Sequence, residues 1–210
     1  MKKIYILLLA ALSITEFSFA GDNDPNAKKV LDAVSEKFKT FKGITATFSL
    51  KSITSKGKDN GTQSGNISIK GQKYLLKQGK TEIISDGTKI YNYDGNKTIT
   101  ISTVEEGGQT LSPQNLLSNF YDKDFSYKLI SSSGSFHEIE LIPNDKKKNF
   151  QKVNVFIDKN KVMITKAIIL DKSNNKIQFG LTNLNTNANL PDNIFIYNRS
   201  KYPKDAEVLD

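Results

Sequence analysis

The chain is 210 residues long and 37% hydrophobic, with 30 Lys and Arg against 22 Asp and Glu, a formal charge of +8, and no Cys. Disulfide stapling and thiol chemistry are thereby excluded. The positive surplus is almost wholly Lys, with Arg199 the sole arginine, which argues against a nucleic-acid reader and for a solvated surface drawn weakly to anionic membranes or acidic partners.

Residues 1–20 read as a secretory signal. Lys2 and Lys3 form the positive end, Ile4 to Leu12 the apolar stretch, and Ser18-Phe19-Ala20 the small-x-small cleavage pattern. The apolar stretch is too short to span a bilayer, and without Cys it is not a lipoprotein signal. Residues 21–210 are then expected to form one exported domain, large enough to hold a core without staples.

Asp24-Pro25 opens a helix, with Asp as N-cap and Pro at the first helical position. Ala27, Val30, Leu31, Val34, Phe38 and Phe41 recur on one face, and Gly43 is the expected end. Beyond it the period changes to two. Ile44, Ala46, Phe48 and Leu50 alternate with polar residues, a loop follows over Ser55–Gly61, and Ile67 and Ile69 lie on the next strand. Short strands are then expected over Tyr74–Lys77, Thr81–Ser85, Lys89–Tyr93 and Lys97–Thr103, an antiparallel meander. Ser85 to Gly95 reads SDGTKIYNYDG: two tight turns, each an Asp-Gly pair, around a strand with Tyr91 and Tyr93 on one face.

Ser112-Pro113 repeats the helix-start signal, and Leu116, Leu117 and Phe120 give a short second amphipathic helix. Strands resume over Phe125–Ile130, Phe136–Ile142, Lys152–Asp158, Met163–Asp171, Lys176–Asn183 and Ile194–Asn198. The fold class is α+β, mainly β. A single antiparallel sheet of about eleven strands must cover its apolar face, either by closing on itself or with the two helices.

Chemistry-bearing constellations are sparse. His137 is the only His, and by alternation it faces the side of Ile139 and Leu141; a hydrolase would have to pair it with Ser85 or another serine, without a G-x-S-x-G elbow. One His and no Cys cannot build the usual zinc sets. Asp171-Lys172-Ser173-Asn174-Asn175 resembles a calcium loop faintly, but lacks the Gly and Glu such a loop needs, and reads as a hairpin turn. Glu105-Glu106 and Glu138/Glu140 read as solvated charge. No catalytic residue, metal or cofactor is expected.

Several segments, in order, resemble the LolA-type carriers of outer-membrane lipoproteins. They are VLDAVSEKFKTFKGITATFSL with Phe48, SGNISIKGQKYLL, SDGTKIYNYDG, SPQNLL, IELIPND and the closing FIYNRSKYPKDAEVLD. Tyr91 stands near where the family tends to have Trp. In the second hairpin, Lys70-Gly71-Gln72-Lys73 replaces a region where better-known members carry an Arg that steadies the lid. Gating then uses other contacts, or the cavity rests more open.

The resemblance implies an incomplete (half) β-barrel with a helical lid, working in the periplasm as a non-enzymatic monomer that does not bind nucleic acid. It implies a chaperone that takes acylated lipoproteins from an inner-membrane ABC transporter and passes them to an outer-membrane receptor, or to the outer membrane directly. An exported β-rich module binding glycan or protein, and a hydrolase using His137, remain as alternatives. Each acyl CH₂ gains about 0.8 kcal/mol on leaving water, so three chains of roughly fifteen carbons cost tens of kcal/mol to hold free. A broad apolar pocket recovers that energy without fixed geometry and can still release. The expected cavity residues are Leu31, Val34 and Phe38 on the first helix, Phe48 and Leu50, Ile67 and Ile69, Tyr74 and Leu76, Tyr91 and Tyr93 (or else Ile90, on the opposite face), and Leu116 and Leu117 on the lid helix. Ordinary core packing accounts for any one of them equally well.

Overall fold

The computed structural model describes residues 23–104 and 121–210. The expected signal and the expected helix after Ser112 lie outside the described residues. Helix α1 (Pro25–Lys39) is followed by β1 (Ile44–Ile53), β2 (Asp59–Lys70), β3 (Lys73–Gln78), β4 (Thr81–Ser85), β5 (Lys89–Tyr93) and β6 (Thr98–Thr103). A single helical turn, α2 (Tyr121–Asp124), leads into β7 (Phe125–Ser131), β8 (Phe136–Pro143), β9 (Phe150–Asp158), β10 (Met163–Asp171) and β11 (Lys176–Asn185), and the chain closes with β12 (Glu207–Leu209).

The strands form one open twelve-stranded sheet in the order β12-β6-β5-β4-β3-β2-β1-β11-β10-β9-β8-β7. Two meanders of nearest neighbours are therefore joined at one seam, where β1 pairs with β11, Phe48 opposite Leu181 and Leu50 opposite Phe179. The expected all-antiparallel arrangement needs one correction, because β12 runs parallel to β6.

Alternation decides which residues meet. Paired residues of adjacent strands point to the same side. On the inner side, Ile44, Ala46 and Phe48 continue into Ile67 and Ile69, then Tyr74 and Leu76. Across the seam the same side carries Phe179 and Leu181, Ala167, Val153 and Val155, Ile139 and Leu141, and Phe125 and Tyr127, all buried. Against this surface α1 buries Ala27, Leu31, Val34 and Ser35, its axis lying over β7 and β10. At full burial each large apolar side chain contributes about 1.5–3 kcal/mol, so this face is the dominant stabilising feature.

Asp24 starts α1 as its spacing predicts, accepting from the Asn26 N–H (2.8 Å) through Oδ1. Its other oxygen accepts from the Leu129 N–H (3.0 Å), and Asn23 Oδ1 accepts from the Tyr127 N–H (3.1 Å), so the residues before α1 also satisfy the free edge of β7. Gly43 does not end the helix. Thr40 closes it in ordinary helical conformation. The glycine is needed because a Cβ there would lie 2.6 Å from the Ala188 carbonyl oxygen, where the chain after β11 crosses the start of β1.

A second departure concerns Ile194–Asn198. It is not a strand: Pro191 and Asp192 open a 3-10 turn over Asp192–Phe195. The segment and the residues after it lie against the outer side of the sheet, packed on Tyr91 and Tyr93, and Ile84, Ile99, Phe195 and Ala206 are buried apart from the main cluster.

Candidate functional site

Two features of the inner side bear on ligand binding. A cavity of about 300 Å³ opens where the end of α1 meets the beginning of β1 and the β2–β3 turn. Phe38, Phe41, Ile44 and Ile69 supply its apolar wall; Ser35, Lys39 and Gln72 supply its polar rim. Phe38 and Phe41 meet edge-to-face, ring centroids 6.3 Å apart at 75°, and both are half-buried. At the far end of β1 a second hollow of about 240 Å³ is lined by Leu50, Ile177 and the polar residues Gln63, Asn60 and Ser52.

Between the two hollows the interior is filled. Phe48 is 1% exposed, and its ring lies over Gly65, where a Cβ would come within 2.6 Å of it. Burial pushes the Tyr74 phenol up to about 12, as an apolar setting requires when the charged form is disfavoured. A hollow of about 300 Å³ sits at the small end of ligand pockets. Neither hollow alone has the volume that three acyl chains would need.

Of the expected cavity residues, Leu31, Val34, Phe48, Ile67, Ile69, Tyr74 and Leu76 converge in one buried cluster, with Phe38 and Leu50 half-buried at its edges. Leu116 and Leu117 lie outside the described residues. Tyr91 and Tyr93 are a correction. Register places Tyr91 opposite Ile84 and Ile101, and Tyr93 opposite Glu82 and Ile99, all on the outer side, while Ile90 lies on the inner side with Ser85. The two tyrosines hold the C-terminal segment. Tyr91 stacks on Tyr197 and Tyr93 packs against Tyr202, centroids 4.5 and 5.0 Å apart.

The turns flanking this strand form for the reasons the sequence suggests. Asp86 Oδ1 accepts from the Thr88 and Lys89 N–H groups, both at 2.8 Å, and Gly87 takes φ 96°. Asp94 Oδ1 accepts from Asn96 and Thr98 (2.8 and 3.1 Å) before Gly95 at φ 83°.

Sequence reading missed the β7–β11 half of the inner side, above all Phe125, Tyr127, Phe179 and Leu181. The alternation of Val153, Val155 and Ile157 along β9 carried the signal for it. Lys70 and Lys73, in the hairpin where the family resemblance led us to look for an Arg, reach the other way. Lys70 Nζ donates to the Leu190 carbonyl (2.9 Å) and both lysines pair with Asp192 (3.4 and 3.2 Å), tying down the segment after β11. Arg199 fastens the same segment by donating to the carbonyls of Pro203 (2.7 Å), Ala206 (2.9 Å) and Lys204 (3.1 Å).

His137 lies on the inner side opposite Ile157. Its Nδ1 is 2.8 Å from the Ser132 hydroxyl, and burial together with the nearby Lys159 charge holds its pKa below the usual range. Neighbouring carboxylates are engaged elsewhere, Glu138 with Asn154 and Glu140 with Lys152. Asp171 Oδ1 accepts from the Ser173 and Asn175 N–H groups, so the loop faintly like a calcium site is a hairpin turn. Among the described residues no three His, Asp or Glu side chains converge closely enough to hold a metal ion, and no helix is long and apolar enough to cross a membrane.

Comparison with known proteins agrees with this architecture. The family model described as outer membrane lipoprotein carrier protein LolA matches residues 39–198. An outer-membrane lipoprotein carrier protein of Francisella tularensis is 35% identical over 102 residues, 45% of this chain and 44% of that protein; the aligned part is thus under half of the relative's length. Among solved structures, an uncharacterized conserved protein from Thermus thermophilus superposes with a TM-score of 0.57 at 13% identity, over 88% of this chain and 98% of that one. A DUF1329 family protein from Desulfovibrio piger superposes at 0.50, again 13% identical, over 83% and 98%. At such identities the likeness to these two is one of fold.

Proposed function

Because the chain belongs to the outer membrane lipoprotein carrier family LolA, we propose that it is a periplasmic carrier that shelters the acyl chains of lipoproteins and moves them from the inner to the outer membrane. The observation that carries this reading is the apolar inner side of an unclosed sheet, covered by amphipathic α1, with Phe38 in its last turn and Phe41 just beyond it half-buried at a hollow. Dispersive, non-directional contact of this kind accepts chains of varied length. Since Phe48 and its neighbours fill the space between the hollows, loading requires α1 to part from the sheet, exposing Leu31 and Val34 together with Ile67 and Ile69. The cargo would come from an inner-membrane lipoprotein-releasing transporter and leave for a receptor or for the outer membrane itself.

The test is release of a triacylated lipoprotein from inner-membrane vesicles containing the transporter and ATP. A soluble complex with the purified protein is the expected product. No release by delipidated, folded protein would overturn the reading. His137→Ala is expected to leave release intact, whereas a large loss would favour a hydrolase.

A further inference from the structure

The edge of the fold that holds the hollow at the end of α1 carries lysines on both of its sides. Lys39 lines the hollow beside Phe38 and Phe41, and the Lys37 ammonium lies 6.0 Å from the Phe41 ring centroid. Lys42 and Lys70 line the adjoining hollow on the other side of the β1 start, and Lys73 shares Asp192 with Lys70. The carboxylates paired with these lysines are Glu36, 2.6 Å from Lys39, and Asp192. Among the described residues, five ammonium groups and two carboxylates thus line this edge of the fold, Lys37, Lys39 and Lys42 beside the half-buried aromatic pair and Lys70 and Lys73 on the outer side.

We propose that this lysine-bearing edge is a docking surface for an anionic phospholipid bilayer, with Phe38 and Phe41 entering the interface. Three properties favour a bilayer over an acidic protein. Lys is depleted in protein–protein interfaces, where Arg is preferred, and every cation here is Lys. Flexible ammonium groups on long apolar stems suit a diffuse layer of phosphates rather than a fixed carboxylate geometry. A bilayer also offers apolar depth beneath its negative surface, matching aromatic rings beside positive charge. The idea builds on the carrier reading, because the mouth through which acyl chains pass would be the part held against the membrane.

The experiment is co-sedimentation of cargo-free protein with phosphatidylcholine vesicles, with and without phosphatidylglycerol. Binding is expected only with phosphatidylglycerol and is expected to fall as salt is raised. The double variant Lys39→Gln/Lys42→Gln should weaken it by about thirtyfold at low ionic strength, given the attraction of each basic residue to an anionic surface. Lys146→Gln/Lys147→Gln removes the same charge from the exposed β8–β9 turn and should leave binding unchanged. Equal loss in the two double variants, equal binding to neutral vesicles, or no binding at all overturns the proposal, the last leaving the edge to an acidic protein. Protein that captures a fluorescent fatty acid but ignores anionic vesicles refutes the docking surface alone; protein that binds vesicles but never releases lipoprotein refutes the carrier reading alone.

Discussion

The rings of Tyr91 and Tyr197 lie face to face, 4.5 Å apart with 5° between their planes, although 106 positions separate them in the chain. Tyr197 also stacks on Tyr202 at 5.5 Å. The aromatic strand of the SDGTKIYNYDG segment is thus an anchor for the tail and lies across the sheet from the inner face.

The Tyr197 hydroxyl is buried and has no hydrogen-bond partner among the described residues. Tyr197→Phe should therefore raise stability by about 1 kcal/mol, by removing an unsatisfied polar group. Tyr197→Ala should lower it by about 2–3 kcal/mol through lost stacking and burial. Urea midpoints at unchanged slope measure both; a destabilised Phe variant would show that the hydroxyl is satisfied in solution.

Tyr202 donates to Glu82 Oε1 at 2.5 Å, and Lys77 pairs with the other carboxylate oxygen at 2.9 Å. Burial alone would raise the Glu82 pKa, but these two partners outweigh it and hold the carboxyl below its ordinary 4.5. Burial and the Glu82 contact raise the Tyr202 phenol above its ordinary 10.0. A depressed carboxyl stabilises the fold above its unfolded pKa and ceases to as pH falls through the folded one. A raised phenol stabilises below its unfolded pKa and ceases to as pH rises above it. The contribution of the pair, about 1–2 kcal/mol, should be complete between about pH 4.5 and 10. Tyr202→Phe should narrow its stability gap to the parent outside that window, which chemical denaturation across pH would measure.

Gly65→Ala should destabilise by about 1–3 kcal/mol, because the new methyl collides with the Phe48 ring and the Lys77 carbonyl oxygen. The near-ultraviolet dichroism should change as Phe48 shifts. An unperturbed variant would mean that the ring packs elsewhere in solution.

Phe48 and Phe38 should separate folding from loading. Phe48→Ala removes a side chain 1% exposed and should cost about 3–5 kcal/mol. Phe38→Ser, at the half-buried cavity wall, should cost about 1 kcal/mol while weakening a fluorescent fatty-acid probe by about tenfold. Polar change at Phe48 is thus expected to injure the fold first. Unchanged probe affinity in Phe38→Ser would remove this wall from the binding surface.

Strand existence was legible in the sequence because period-two alternation and Asp-Gly turns are local signals. β4, β5 and β10 have the expected limits, Thr81–Ser85, Lys89–Tyr93 and Met163–Asp171. Which side each strand presents to the core was less legible. Alternation separates Ile90 from Tyr91, but only pairing with Ile84 and Ile99 sends the tyrosines outward. Aromatic residues read as cavity lining were instead answering to a distant partner in the tail. Glu207–Leu209 carried no strand signature, being short, exposed and dependent on a parallel neighbour. The opposite error at Ile194–Asn198 arose because Pro191-Asp192 starts a turn that apolar alternation does not register.

The seam between β1 and β11 has a consequence for how the molecule forms. Each meander consists of ribbons that zip from neighbour to neighbour, a quick and local process. Their union brings together groups such as Thr182 and Thr47, 135 positions apart, and must await synthesis of nearly the whole chain. Until then β1 is a naked margin with Phe48 uncovered, so the newborn polypeptide is most vulnerable to clumping just before its two halves meet.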